Sequence, residues 1–269
     1  MIDIGVNLTD SSFSGDLPQV LQRAREAGVE GLVLTGTSVP RSKTAAELAA
    51  NLGSGHYATA GVHPHDAKSC DPTTIGSLRV LCARPEVVAV GECGLDFFRD
   101  LSPRPVQRDW FEQQLRLAVE LGMPVFLHQR DAAADFAAIL APLREALADA
   151  CVHCFTGDRE ALHQVLDLDC HVGITGWICD ERRGQELQEI VSDIPDDRLL
   201  IETDSPYLIP RSLRPRPKTR RNEPQWLGEV RDAVARCRGQ SPEHVAAVTT
   251  ANARRFFRLD AAESERTRA

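Results

Sequence analysis

Five side chains of metal-ligating type recur along the chain at the interval of a repeated structural unit: His63, Glu92, His128, His153 and Asp204. Their separations of 29, 36, 25 and 51 residues match one strand-plus-helix unit each, and two units for the last. Neutral imidazoles and carboxylates together bind Zn²⁺, Mn²⁺ or Mg²⁺, so the donor types alone do not choose the metal. A divalent ion held this way activates water near neutral pH. A carboxylate such as Glu92 can also bridge two ions, which favours in-line displacement at a phosphodiester. Metal-dependent hydrolysis is the chemistry expected, with one or two ions.

The other titratable residues have plainer readings. His56, His163, His171 and His244 fall in helices or at strand starts and read as surface or core histidines. Asp96, Asp131 and Asp158 precede or open helices, where N-capping is expected. Asp204 could also cap. Its neighbour Glu202, however, ends an apolar strand, and a carboxylate there needs a partner such as a metal or an arginine.

Positioning these residues requires a parallel sheet. Short runs rich in Val, Ile and Leu alternate with longer segments of helical period, the mark of repeated βα units. Strands are expected over 2–6, 31–35, 57–62, 87–91, 124–127, 151–154, 171–174 and 199–202. Helices are expected near 17–27, 42–52, 74–83, 106–121, 132–148, 158–166 and 184–192, with two more near 224–237 and 242–257. Each candidate ligand then stands at the carboxyl end of a strand, and a closed (β/α)₈ TIM barrel gathers all five at one mouth, where such barrels carry their active sites. An open doubly wound sheet is the alternative, because alternation alone does not show closure. Asp158 and Ser241 read as N-caps, and Gly28, Gly53 and Gly122 as C-terminal caps. No linker-like tract divides the chain, so a single domain over 1–260 is expected, with a polar tail at 261–269 that frays.

Composition narrows the class. A net charge of −8 argues against a protein that coats duplex DNA through a global positive field. No segment resembles a membrane span, and the N-terminus lacks the basic-then-apolar order of a secretory signal, so a cytoplasmic monomer is expected. The eight cysteines are expected as reduced thiols, and Cys151-Val-His-Cys154 as core sulfurs on opposite faces of a strand. A carboxylate-rich site repels phosphate unless metal and arginines offset it. Arg130, Arg182, Arg183 and the Pro-broken basic run that includes Arg220 and Arg221 follow the fifth, seventh and eighth strands and are candidate phosphate contacts. Phe97, Phe98, Phe155 and Trp177 follow strands at the same mouth and could stack bases of a single strand, although Phe155 equally suits the core.

Six stretches carry a family resemblance: Asp3-Ile4-Gly5-Val6-Asn7-Leu8-Thr9, Gly61-Val62-His63-Pro64-His65, Gly91-Glu92-Cys93-Gly94-Leu95-Asp96-Phe97, His153-Cys154-Phe155-Thr156-Gly157, Glu202-Thr203-Asp204-Ser205-Pro206-Tyr207 and Arg220-Arg221-Asn222-Glu223-Pro224. Together, in this order and up to about Phe257, they resemble the TatD family of metal-dependent deoxyribonucleases. The resemblance implies a barrel of the amidohydrolase type, divalent metal (Mg²⁺ foremost), and exonucleolytic cleavage of DNA from the 3′ end, with single strands preferred and a part in repair. It further implies that Glu92, His128 and His153 are ligands, that Asp204 is a ligand or the partner of the attacking water, and that His63 and His65 stand at the rim. Glu92 and Asp204 are thus the expected catalytic carboxylates. Most relatives carry Asp-x-His-x-His on the first strand, where this chain has Gly5 and Asn7. That departure puts a second tight metal in doubt, with His63 or substrate phosphate completing a weaker site. Gln129 replaces a common cysteine without evident chemical consequence. Because barrel and metal do not fix the leaving group, hydrolysis of another ester or amide, such as an aminoacyl-tRNA, is the alternative.

Overall fold

Short apolar runs buried on both faces form the strands, as expected of a parallel sheet covered by helices. In the computed structural model, which describes residues 1–268, the order is β1 (Ile2–Val6), α1 (Leu17–Glu26), β2 (Gly31–Leu34), α2 (Val39–Leu52), β3 (His56–Ala60), α3 (Thr74–Cys82), β4 (Val87–Asp96) and α4 (Arg104–Leu121). There follow β5 (Val125–Arg130), α5 (Ala133–Leu140), β6 (Ala150–Val152), α6 (Arg159–Asp167), β7 (His171–Ile174), α7 (Gln185–Ile190) and β8 (Leu199–Ile201). Three further helices end the chain: α8 (Leu227–Arg238), α9 (Pro242–Phe256) and α10 (Leu259–Arg268).

The eight strands pair in sequence order, all parallel, which rules out the reversed strand order of an open doubly wound sheet. The seam between β8 and β1 is closed differently from the other joints. Asn7 N–H donates to Ser205 O at 2.7 Å and Asp204 N–H to Gly5 O at 2.9 Å. Below them the buried Asp3 carboxylate accepts from Thr203 Oγ1 at 2.6 Å and from Thr203 N–H at 2.8 Å. This seam sets Asp204 beside the first strand.

Ile2, Ile4, Val88, Phe126 and Leu200 fill the barrel's interior, and Phe256, Phe257 and Leu259 belong to the same apolar cluster, closing the end opposite the mouth. A larger cluster lies between sheet and helices. Asp158 caps α6 by accepting from Ala161 N–H, Ser241 caps α9 by accepting from His244 N–H, and Gly122 ends α4 in the left-handed region at φ 61°.

Several elements differ from expectation for identifiable reasons. The single helix expected over 132–148 breaks into α5 and a 3₁₀ turn, Ala141–Ala146, because Pro142 lacks the N–H that would continue it. Pro224 likewise opens a 3₁₀ turn, Pro224–Trp226, before α8. The polar segment from Ala261 on falls within α10. Leu259 is buried, Ala262 packs on the lower cluster, and Asp260 pairs with Arg254 at 2.9 Å. Ala269 lies outside the described residues. Among the described residues no helix is long and apolar enough to cross a membrane.

Candidate active site

Both β4 and β5 run further than their apolar cores, so Glu92 and His128 lie within strands and not beyond them. The β4–β5 register shifts between Gly91 and Cys93, and it pairs Gly94 with His128. Gly94 adopts φ 144°, and a Cβ there would collide with the His128 carbonyl; glycine is what permits the two strands to approach. Glu92 and His128 are thereby brought to the same mouth.

Three imidazoles converge on one carboxylate oxygen. Glu92 Oε1 stands 2.6 Å from His153 Nε2, 3.0 Å from His128 Nδ1 and 3.2 Å from His63 Nε2. The ligand atoms of His63, Glu92 and His128 lie within 4.8 Å of one another. His128 Nε2 is buried without an aligned hydrogen bond, Asp96 Oδ2 being 3.4 Å away. A divalent cation satisfies such an orphaned nitrogen, and the donor set fits it.

The electrostatics point the same way. Burial opposes the charge on Glu92, yet His153 and His63 outweigh it and hold the carboxyl well below the usual range. Burial also opposes charge on His153 and His128. The carboxylates beside them prevail: Glu92 and Glu202 raise His153 well above its ordinary value, and Asp96 and Glu92 raise His128. Only at His63 does burial win, lowering its pKa. The cluster thus calls for positive charge, which a bound divalent metal supplies directly. Burial pushes the Asp204 carboxyl up to about 7 against the pull of His153, with Glu202 and Glu92 adding to the rise. Asn7 Nδ2 donates to Asp204 Oδ1 at 3.0 Å and orients it.

Two carboxylates have roles that residue types alone did not reveal. Glu202 is fully buried; its protein partners are not arginines but His153 Nδ1, 3.4 Å from Oε2, and Cys154 N–H, which donates to Oε1 at 2.6 Å. Gly5 makes this possible, since a Cβ there would overlap Glu202 Oε2; one at Gly173 would sit 2.8 Å from Oε1. Asp96 does not cap a helix, for α4 begins at Arg104. Its Oδ1 caps a turn by accepting from Phe98 and Arg99 N–H, and its Oδ2 lies 2.7 Å from His65 Nε2. The four-residue spacing from Glu92 would have signalled Asp96 had the strand been read to its full length, because alternate residues share a face.

The converging histidines, Glu92, Asp96 and Asp204 line a cleft of about 580 Å³, together with Arg41, Arg99, Arg130, Trp177 and Tyr207. Arg130 lies over the exposed Phe98 ring, 4.1 Å from its centroid. The remaining arginines expected at phosphate do not line the cleft. Arg221 is consumed by Asp16, Glu223 and Ser12 O, and Arg183 pairs with Asp180 above Trp177; Arg182 and Arg220 are exposed. Arg41 and Arg99 line it instead. Phe155 is buried in the core. All eight cysteines are free, with Cys151 inside the barrel and Cys154 at the cleft.

A family model described as TatD related DNase matches residues 2–258. The chain belongs to the TatD DNase family. Its similarity to named members is high: 52% identity to the 3′-5′ ssDNA/RNA exonuclease TatD of Klebsiella pneumoniae, over 97% of this chain and 98% of that one. The protein of the same name from Pantoea vagans is also 52% identical, over 96% of this chain and 100% of its own. The crystal structure of YJJV, a TatD homologue from Escherichia coli, matches with a TM-score of 0.87 at 27% identity, covering 96% of this chain and 98% of that one. Within the TatD fold, then, this chain is a hydrolase with Gly5 on β1 and Asn7 just past its end. The first leaves space for Glu202 and the second holds Asp204.

Proposed function

We propose that the protein is a metal-dependent 3′–5′ exonuclease acting on single-stranded DNA and RNA, with Mg²⁺ as the working ion, in the cytoplasm and as a monomer. The convergence of His63, His128 and His153 on one Glu92 oxygen is the observation that carries the metal, and the likeness to exonucleases at 52% identity carries the substrate. A divalent cation held there supplies Lewis acidity toward the phosphodiester and acidifies water.

The tautomers favour particular ligands. Glu202 takes the proton side of His153, leaving Nε2 to face the centre, as expected of a ligand with an orienting carboxylate. His63 Nδ1 accepts from His65 N–H at 3.1 Å, so in this arrangement its Nε2 donates to Glu92. The ligand set supported best is Glu92, His128, His153 and Asp204, with His63 serving Glu92 unless its ring pairs anew. Asp204, held by Asn7 at 3.0 Å, suits removal of a proton from the attacking water. Arg41, Arg99 and Arg130 face the phosphates, and His65 stands at the rim against Asp96.

The test uses a 5′-labelled single-stranded oligonucleotide with Mg²⁺. Progressive shortening from the 3′ end is expected, and Glu92→Ala should lower its rate by at least about a hundredfold. No shortening, faster hydrolysis of an aminoacyl ester than of DNA, or activity that survives Glu92→Ala overturns the assignment.

A further inference from the structure

A second cavity of 300 Å³ opens beside the catalytic cleft. Asn7, Thr37, Arg41 and Tyr207 face both spaces, so the two share a wall. Asp10 and Thr35 line only the side cavity. Its volume is at the small end of ligand sites, enough for one nucleoside and too little for a continuing strand.

Its polar groups are poised for a ligand. Thr35 is 4% exposed, and among the described residues its hydroxyl has no protein partner, although its N–H donates to Val6 O at 2.9 Å. As a residue lining the cavity, Thr35 keeps the donor and acceptor capacity of its hydroxyl for a bound group. Arg41 donates to Thr37 Oγ1 at 3.3 Å and, among the described residues, has no carboxylate within ion-pair distance. A free guanidinium on the wall between two cavities is suited to a phosphate between two nucleosides. Tyr207, 54% exposed, offers a ring face. Among the described residues Asp10 is the one acid lining this cavity; hydrogen bonding from the Ser12 side chain and from Ser12 N–H, the latter at 2.8 Å, holds its carboxyl below the ordinary value with help from Arg41, so it is ionised at neutral pH.

Resting on the exonuclease reading, we propose that this cavity is the end-recognition subsite: it holds the terminal nucleoside of a single strand, with Arg41 on the connecting phosphate, Tyr207 against the base and Asp10 accepting the free 3′-hydroxyl. The cavity then selects hydroxyl ends by charge. A 3′-phosphate placed against Asp10 meets like charge in a confined space, whereas a hydroxyl donates to it.

The experiment compares two oligonucleotides of one sequence, ending in a 3′-hydroxyl or a 3′-phosphate, by kcat/KM for the first cut. The native enzyme should prefer the hydroxyl end by about tenfold or more. Asp10→Asn, which keeps the turn cap, should speed cleavage of the phosphate end, a gain that misfolding cannot produce. Thr35→Val should raise KM for the hydroxyl end more than it lowers kcat. Equal cleavage of both ends by the native enzyme, or a preference unchanged in Asp10→Asn, overturns the proposal. Calorimetric binding of thymidine 5′-monophosphate against thymidine 3′,5′-bisphosphate to native and Asp10→Asn protein separates the two hypotheses. If neither oligonucleotide is cut yet the monophosphate binds preferentially and Asp10→Asn removes that preference, the exonuclease reading fails and the subsite stands; if the preference is absent, the subsite fails as well.

Discussion

Glu202 concentrates what the site requires of single residues. It ends an apolar strand, is wholly buried, and divides its two oxygens between His153 Nδ1 and the Cys154 amide. A carboxylate behind an imidazole fixes the tautomer and raises the basicity of the nitrogen that faces the metal. Glu202→Gln preserves volume and an acceptor for the Cys154 N–H while removing the charge. It should weaken Mn²⁺ binding, measured by calorimetry, by about 10- to 100-fold; unchanged affinity would show that His153 needs no orienting partner. Gly5 belongs to the same argument, because any side chain at that position displaces the Glu202 carboxylate. The residue that looks like a loss relative to Asp-x-His-x-His is what admits another carboxylate to the site.

The element that decides the geometry at the next scale is the β8–β1 seam. Elsewhere neighbouring strands share ladders, but here Asp3 on β1 bonds Thr203 just past β8, and backbone bonds from Asn7 and Asp204 complete the closure. Burial pushes the Asp3 carboxyl up to about 8, against the lowering effect of its bonds from Thr203. The sign follows from linkage: a pKa raised on folding contributes stability that is full below the unfolded value of 3.8 and is lost as pH rises through about 8. Urea unfolding of native protein should therefore show an Asp3 contribution that falls between about pH 4 and pH 8 and is flat above, and Asp3→Asn should flatten that slope. An equally steep slope in the variant would assign the effect to another group. The same seam sets Asp204 against Asn7 and so links barrel closure to the orientation of that carboxylate.

At the scale of the whole molecule, a chain of net charge −8 must bind a polyanion through a local field. Three arginines line the cleft, Arg41, Arg99 and Arg130. For a single strand the logarithm of the binding constant falls with log salt at about 0.7 per phosphate neutralised, so three contacts predict a slope of about −2 for oligonucleotide binding to the cleavage-deficient Glu92→Ala variant. A slope steeper than about −4 would show that the exposed Arg214, Arg216, Lys218 and Arg220 also engage the strand. The sequence by itself determined the repeated βα units and hence a parallel sheet, because apolar runs and helical periods are local signals, and it placed Glu92, His128 and His153 about one unit apart, so that they meet at one mouth once the sheet closes. It could not assign Asp96, whose strand outlasts its apolar core, nor the partner of Glu202, nor the separation of Arg41, Arg99 and Arg130 from Arg183 and Arg221. Those depend on strand register, on space left by glycines and on which carboxylate reaches a guanidinium first, and such contacts between residues distant in the chain exist only once the barrel has closed.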